Sequence, residues 1–468
     1  MRIYLLGIAG TGMGSFAGLL KAAGHEVSGS DENVYPPMSD KLAEWKIRTF
    51  TPYAAENLRK APVDLAVVGN VIRADNVEAK AVRRTGVPQM SFPEALEELF
   101  LQTRHPVVVA GTHGKTTTTS ILAQVLEHAG KKPSLLVGGV PLNFNEGFRL
   151  GKGEHFVVEG DEYDTAYFDK GPKFLHYRPR TAIFTGAEFD HADIYRDLPH
   201  YESAFEKFFA LVPEDGYVAA CTTFDNTGRI VERAKAKCRI ETYSAAKPAD
   251  WTVRAVTLGP PGATFEILFK GKLEEELTLP AAGRHNVENA LGVYAACRAL
   301  GLSASEIAAG FRSFKGVKRR QELRGEVAGL AVIDDFAHHP TAVRETIAAV
   351  AAQYPGRRLV AVFEPRSNTA MRKIHQDEYA HAFTGAAEAI ISQPSAIAKV
   401  PENERGDAAR MAEEIGKAGT PARCLPGPDA IVQALSKEAR KGDVILAMSN
   451  GAFGGIHLKL LEALKGRA

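Results

Sequence analysis

The segment Val107-Val108-Val109-Ala110-Gly111-Thr112-His113-Gly114-Lys115-Thr116-Thr117-Thr118-Thr119 constrains this chain most, because an apolar run empties into a short glycine turn followed by a Lys-Thr pair at a helix start. That order builds a phosphate cradle. Backbone N–H groups of the turn converge on an oxyanion, the helix N-terminus adds partial positive charge, Lys115 neutralises phosphate and the Thr116 hydroxyl reaches a magnesium ion. The spacing is tighter than the common G-x-x-x-x-G-K-T, since Ala110 stands four residues before Gly114 and Gly111 sits close in. A strand before the turn and an apolar helix after it set the element inside a parallel α/β sheet.

At 468 residues the chain is long enough for about three domains, and an apolar content of 45% suffices for several cores. Lys plus Arg is 57 against 56 for Asp plus Glu, a net charge of +1, so no chain-wide field draws nucleic acid or an anionic membrane. Anionic ligands must be met locally. Cys221, Cys238, Cys297 and Cys424 form no C-x-x-C pair, which points to a reducing, cytoplasmic compartment and away from structural zinc. The start Met1-Arg2-Ile3-Tyr4-Leu5-Leu6 is cut by Gly7, Gly10, Gly12 and Gly14 with no small-residue cleavage site after it. No later stretch holds about eighteen uninterrupted apolar residues, so neither a signal peptide nor a membrane span is expected.

Strand patterns at 3–8, 26–29, 65–68 and 89–92 alternate with helical stretches at 16–23 and 76–85, the rhythm of a parallel sheet with crossover helices. A strand at 106–110 opens a second unit with further strands at 155–158 and 181–184, and patterns at 251–258 and 264–269 make part of it antiparallel. Past a charged, glycine-punctuated stretch at 315–325, strands at 330–334, 359–363, 389–392 and 444–448 alternate with helices at 342–353, 407–417 and 429–439. The fold class is α/β, in three units spanning 1–103, 104–320 and 321–468.

Several constellations carry chemistry. The turn Gly7-Ile8-Ala9-Gly10-Thr11-Gly12-Met13-Gly14 follows a strand, and Ser30-Asp31 closes the next one, an arrangement that binds a diphosphate. Its departure from G-x-G-x-x-G favours a nucleotide diphosphate other than a nicotinamide or flavin dinucleotide. Glu159, ending the strand Phe156-Val157-Val158, is placed to hold magnesium beside the phosphate loop. His191, within Glu188-Phe189-Asp190-His191-Ala192-Asp193 after the strand Ala182-Ile183-Phe184, is placed for a second cation. Asn286 and Asn289, three apart before the helical pattern at 290–300, share a face suited to a nucleotide. His338 and His339 are adjacent on an extended segment and point apart, which argues against their sharing a metal.

Taken together, Gly-Thr-His-Gly-Lys-Thr-Thr at 111–117, Glu159, His191, Gly-Arg-His-Asn-x-x-Asn at 283–289 and Asp-Asp-x-x-His-His-Pro at 334–340 resemble the Mur ligase family over the whole chain. The resemblance implies an ATP-dependent ligase that joins a nucleotide-linked muramyl carboxylate to an amine. It implies a Rossmann-like first domain for the UDP-sugar, a P-loop ATPase-like middle domain for ATP and magnesium, and a hinged Rossmann-like third domain that brings the amine. Carried over position by position, Gly10, Thr11, Gly12, Met13, Ser30, Asp31 and Asn70 would bind the UDP-sugar. Gly111, Thr112, His113, Gly114, Lys115, Thr116, Thr117, Asn286, Asn289, Arg320 and Asp335 would bind ATP. Thr116, Glu159 and His191 would hold magnesium, with Lys115, Glu159 and His191 the catalytic set.

Two activities of the family compete. The stretches Asp161-Glu162-Tyr163-Asp164-Thr165-Ala166-Tyr167-Phe168-Asp169-Lys170, His176-Tyr177-Arg178-Pro179-Arg180, Phe336-Ala337-His338-His339-Pro340 and Phe363-Glu364-Pro365-Arg366-Ser367-Asn368-Thr369 are similar to the branch using UDP-N-acetylmuramate and the murein tripeptide L-alanyl-γ-D-glutamyl-meso-diaminopimelate in peptidoglycan recycling. The biosynthetic branch that adds L-alanine typically shows Ser-Asp in place of Tyr163-Asp164 and Tyr-Gly in place of Phe336-Ala337. The tripeptide reading is favoured, with L-alanine addition as the alternative and Arg366 and Asn368 as candidates to grip the peptide. One departure concerns a lysine, modified by carbon dioxide in other members, whose place is taken by Phe205. Two other classes compete: a dinucleotide-dependent oxidoreductase leaves the Lys115 loop and Glu159 without a role, and a non-catalytic nucleotide-binding switch would use the same cradle.

Overall fold

The computed structural model describes residues 1–36, 38–60, 62–192 and 194–465, and its strands form three sheets. In the first, Arg48–Phe50, Glu26–Ser30, Arg2–Leu6, Leu65–Val68 and Gln89–Ser91 lie side by side in that order, all parallel. The strand order reverses at Arg2–Leu6, the place where ligands bind in open parallel sheets. The glycine turn after Leu6 leaves the sheet there.

The second sheet centres on parallel strands Arg239–Tyr243, Tyr217–Cys221, Thr181–Phe184, His105–Ala110, His155–Gly160 and Ser134–Leu136. Val107, Val108 and Val109 are fully buried, as a central strand covered on both faces requires. Trp251–Gly259 joins parallel to Arg239–Tyr243 and continues through antiparallel Gly262–Phe269 and Lys272–Leu279 at that edge, and Phe148–Arg149 adds antiparallel at the other. In the third sheet, Leu330–Asp335, Val444–Met448, Leu359–Phe363, Glu388–Ser392 and Ala422–Leu425 are parallel, with Glu322–Val327 antiparallel at its edge.

The first two sheets share one apolar core. Phe16 packs edge-on against Phe100 at 6.1 Å between ring centres, and Phe100 lies 6.2 Å from Phe156 of the middle sheet. A Cβ at Gly18 would fall 2.2 Å from the Phe148 ring, so the helix Thr11–Ala22 seats the strand Phe148–Arg149 only because that position is glycine. The third sheet has separate cores, around Ile333 and Phe363 on one face and Val362 and Ile445 on the other. It meets the phosphate loop through polar groups. An apolar seam thus joins the first two units, and polar contacts join the third to the phosphate-loop region.

Among the described residues no helix is long and apolar enough to cross a membrane. The helix expected from position 290 opens earlier, as Arg284–Ala299, and so takes in both Asn286 and Asn289. Asp193, one of the acids flanking His191, lies outside the described residues.

Candidate active site

The strand His105–Ala110 ends in the glycine turn, and Gly114, with φ +77°, caps the helix Lys115–His128. A Cβ at Gly111 would lie 2.2 Å from Thr185 Oγ1, and one at Gly114 would lie 2.3 Å from Asn289 Oδ1. The cradle is therefore fitted to its walls and closed to larger residues. Thr112 Oγ1 donates to Glu188 O at 2.9 Å and lies 2.9 Å from Tyr201 Oη, which ties the turn to the next strand and to the helix Leu198–Ala210. Thr117, next in the helix, is half-buried.

Lys115 curls over the turn, donating to Gly111 O at 2.7 Å and Thr112 O at 3.1 Å, and pairs with Glu162 at 2.9 Å. His191 Nε2 pairs with the same carboxylate at 2.8 Å. Burial disfavours charge on all three groups, but their proximity wins. Lys115 and His191 are held above their ordinary values, chiefly by Glu162 against the burial, and Glu162 below its own by Lys115 and His191. His191 adopts φ +56° and its backbone N–H donates to Asp190 Oδ1 at 2.7 Å.

Thr116 Oγ1 donates to Glu159 Oε1 at 2.9 Å, and Glu159 Oε2 accepts the Gly138 N–H at 2.8 Å. Burial pushes the Glu159 carboxyl up despite Lys115 nearby. A half-buried carboxylate beside a threonine hydroxyl at a phosphate-binding helix start is a donor set that fits magnesium.

The third domain and the segment leading into it reach this place through several polar contacts. Arg320 Nη2 donates to Thr116 Oγ1 at 3.4 Å, and its guanidinium lies 4.7 Å from the Phe336 ring, with Arg319 5.3 Å from that ring. Asp335 accepts the backbone N–H of Gln321 at 2.8 Å and of Ala337 at 2.7 Å, so it fixes the segment that presents Arg320. Thr341 Oγ1 donates to Glu188 at 2.9 Å and Thr369 Oγ1 to Asp190 at 2.8 Å. His113 Nε2 lies 2.8 Å from Glu188. Burial opposes ionisation of Glu188, but His113 and His339 bring it down to about 2, whereas burial takes His339 down to about 3.

Asn286 donates to Ala282 O at 2.6 Å, and Asn289 to Asn286 Oδ1 at 3.3 Å, so the two form a chain behind the loop. A cleft of about 460 Å³ between the first and second domains is lined by Gly10, Thr11, Gly12, Met13, Asp31 and Asn70 on one side and by Asp161 and Lys173 on the other. Asp31 accepts the Ala9 N–H at 2.9 Å and so fixes the turn. Ser30 departs from expectation: it is fully buried, does not line the cleft, and gives its hydroxyl to the buried Glu78.

Comparison with known proteins bears on this arrangement. Residues 2–104 match the Mur ligase family catalytic domain, 109–297 the Mur ligase middle domain and 319–451 the Mur ligase glutamate ligase domain. The UDP-N-acetylmuramate–L-alanyl-γ-D-glutamyl-meso-2,6-diaminoheptandioate ligase of Escherichia coli K12 is 40% identical, over 100% of this chain and 99% of that one. The chain belongs to the Mur ligase family. A murein peptide ligase of Psychrobacter arcticus 273-4 is 37% identical over 99% of each chain, with a TM-score of 0.73. The UDP-N-acetylmuramate-alanine ligase of Thermotoga maritima, 24% identical, shares the fold with a TM-score of 0.81.

In this Mur ligase Phe205 is fully buried among Phe174, Phe184 and Tyr201, with ring centres 5.5, 5.1 and 5.1 Å away. Sequence reasoning missed four residues that the structure brings to the site: Glu162, Glu188, Tyr201 and Thr369. Glu162 and Glu188 stood inside motifs read for their neighbours. Their signal was an acid following a buried strand in each case. Arg366 lies over Gly451, where a Cβ would meet its side chain at 2.2 Å, and faces Glu364 at 3.9 Å.

Proposed function

We propose that this chain uses ATP to join the lactyl carboxylate of UDP-N-acetylmuramate to the amine of L-alanyl-γ-D-glutamyl-meso-diaminopimelate. The observation that carries the reading is the common strand end of His155–Gly160. Glu159 on it faces Thr116 and the phosphate loop, and Asp161, two residues on, lines the cleft beneath the N-terminal glycine turn. Such an arrangement would bring nucleotide and sugar acid to one place. The name of the Escherichia coli relative and the branch-specific stretches support the tripeptide as acceptor.

A carboxylate is a poor electrophile, so it first attacks the γ-phosphate, ADP leaves, and the resulting acyl phosphate is attacked by the amine with loss of inorganic phosphate. Lys115 holds the β- and γ-phosphates, and the loop N–H groups receive the charge that builds on their oxygens. Asn289 backs the loop at Gly114. Thr116 and Glu159 would hold one magnesium and His191, oriented by Glu162, a second, and the metal would supply charge neutralisation. Arg320, at the junction of the second and third domains, closes over the phosphates and excludes water from the acyl phosphate.

A phosphate-release assay with UDP-N-acetylmuramate and ATP tests the reading across amine acceptors. Release is expected to be much faster with the tripeptide than with L-alanine. The reverse preference moves the chain to the biosynthetic branch, and no release with any acceptor rejects ligation.

A further inference from the structure

We propose that His113, Glu188 and His339 form a site for a zinc-type divalent transition cation that staples the phosphate loop to the third domain. The three side chains come from the loop turn, from the segment after the strand Thr181–Phe184, and from the N-cap of the helix Pro340–Gln353. One ligand atom from each lies within 4.8 Å of the other two. His113 Nε2 stands 2.8 Å and His339 Nδ1 3.7 Å from the same Glu188 oxygen.

Two imidazoles and a carboxylate around one point are the protein ligands of a tetrahedral zinc centre with its fourth place open. Imidazole nitrogen also separates such a cation from magnesium, which takes oxygen donors at Thr116 and Glu159. His339 is 2% exposed and poorly satisfied. Its Nδ1 accepts one long hydrogen bond, 3.3 Å from the Thr341 N–H, and its Nε2 has none among the described residues. The atom that faces Glu188 is Nδ1, so a cation there would replace only the long Thr341 contact. Glu188 is already oriented from outside by the Thr341 hydroxyl, as ligating carboxylates are. His338 takes no part: its Nδ1 faces Phe336 O at 3.1 Å. The adjacent histidines do point apart, and the second imidazole arrives from the phosphate loop.

The test titrates the full chain with Zn²⁺ by calorimetry in excess magnesium, which fills the oxygen-donor sites. One Zn²⁺ per chain is expected, with binding weakened ~10-fold or more in both His339→Asn, which retains a helix-capping side chain, and Glu188→Gln. Unchanged affinity in either variant overturns the proposal. So does loss of binding in His176→Asn, which belongs to a second cluster with Glu94 and Asp169. Cobalt on the parent protein gives a readout independent of variant folding. Strong visible bands of a four-coordinate, nitrogen-ligated ion support the site, and a weak six-coordinate spectrum rejects it.

Discussion

Lys115 and Glu162 form a buried ion pair within the phosphate cradle, with the ammonium 2.9 Å from the carboxylate and only 13% and 1% of the two side chains exposed. The lysine is thus kept charged and aimed before any nucleotide arrives. Glu162→Gln leaves Lys115 and His191 without their shared counter-charge. The expected result is a loss of kcat on the order of 100-fold or more, the scale of removing one preorganised electrostatic partner. Breaking a buried pair also costs about 3–5 kcal/mol of stability. Phosphate release and urea denaturation measure the two effects separately.

Gly114→Ala tests the fit of the loop against the helix behind it. The substitution places a Cβ 2.3 Å from Asn289 Oδ1 at a backbone φ of +77°. Left-handed backbone alone costs a non-glycine residue about 1–2 kcal/mol, and the clash pushes Asn289 away. ATP binding measured by calorimetry is expected to be lost, while binding of UDP-N-acetylmuramate persists in the other cleft. Unaltered ATP affinity contradicts the packing argument.

Phe336 sits between Arg319 and Arg320, with guanidinium carbons 5.3 and 4.7 Å from the ring centre. Removing the ring in Phe336→Leu forfeits a cation–π contact of about 1 kcal/mol, which corresponds to a KM for ATP raised roughly fivefold with kcat little changed. Phe336→Tyr is expected to restore it. An equal effect of both variants in initial-rate kinetics assigns the residue to packing alone.

Acid is expected to destabilise the fold early. Burial, with nearby positive groups acting the same way, depresses His339 to about 3 and His285 to about 4 against an ordinary 6.5, Glu188 and Asp190 opposing the shift at His339. The unfolded chain therefore binds more protons than the native one between about pH 6.5 and those values, and stability falls as pH drops. Each group adds a slope of up to about 1.4 kcal/mol per pH unit. Glu188, lowered from 4.5 to about 2, acts in a more acid window: its stabilisation is full above 4.5 and is lost as pH falls towards 2. Urea midpoints from pH 7 to pH 4 should decline steadily, and by about one proton less in His339→Asn. An identical slope in the variant removes His339 from the account.

Much of this was legible in the sequence because the decisive elements are local. A buried strand, a glycine turn and a Lys-Thr pair lie within one short run, so the cradle and its parallel sheet could be read directly. The strand Lys272–Leu279 was not readable in that way. Its Lys-Leu-Glu-Glu-Glu stretch is mostly exposed at a sheet edge, where charge guards an open ladder and erases the apolar pattern. Glu162 and Glu188 were hidden for a different reason. Each was visible as an acid, but their partners are distant in the chain: Lys115 and His191 for one, His113, His339 and Thr341 for the other. Ser30 shows the converse, since a polar residue at the right place in the motif turns inward to Glu78.

The aromatic cluster around Phe205 has a chemical consequence for how this ligase is supplied. A ring that packs on Phe174, Phe184 and Tyr201 offers no amine to carbamylate at that position. Turnover in thoroughly degassed buffer is expected to equal turnover in air.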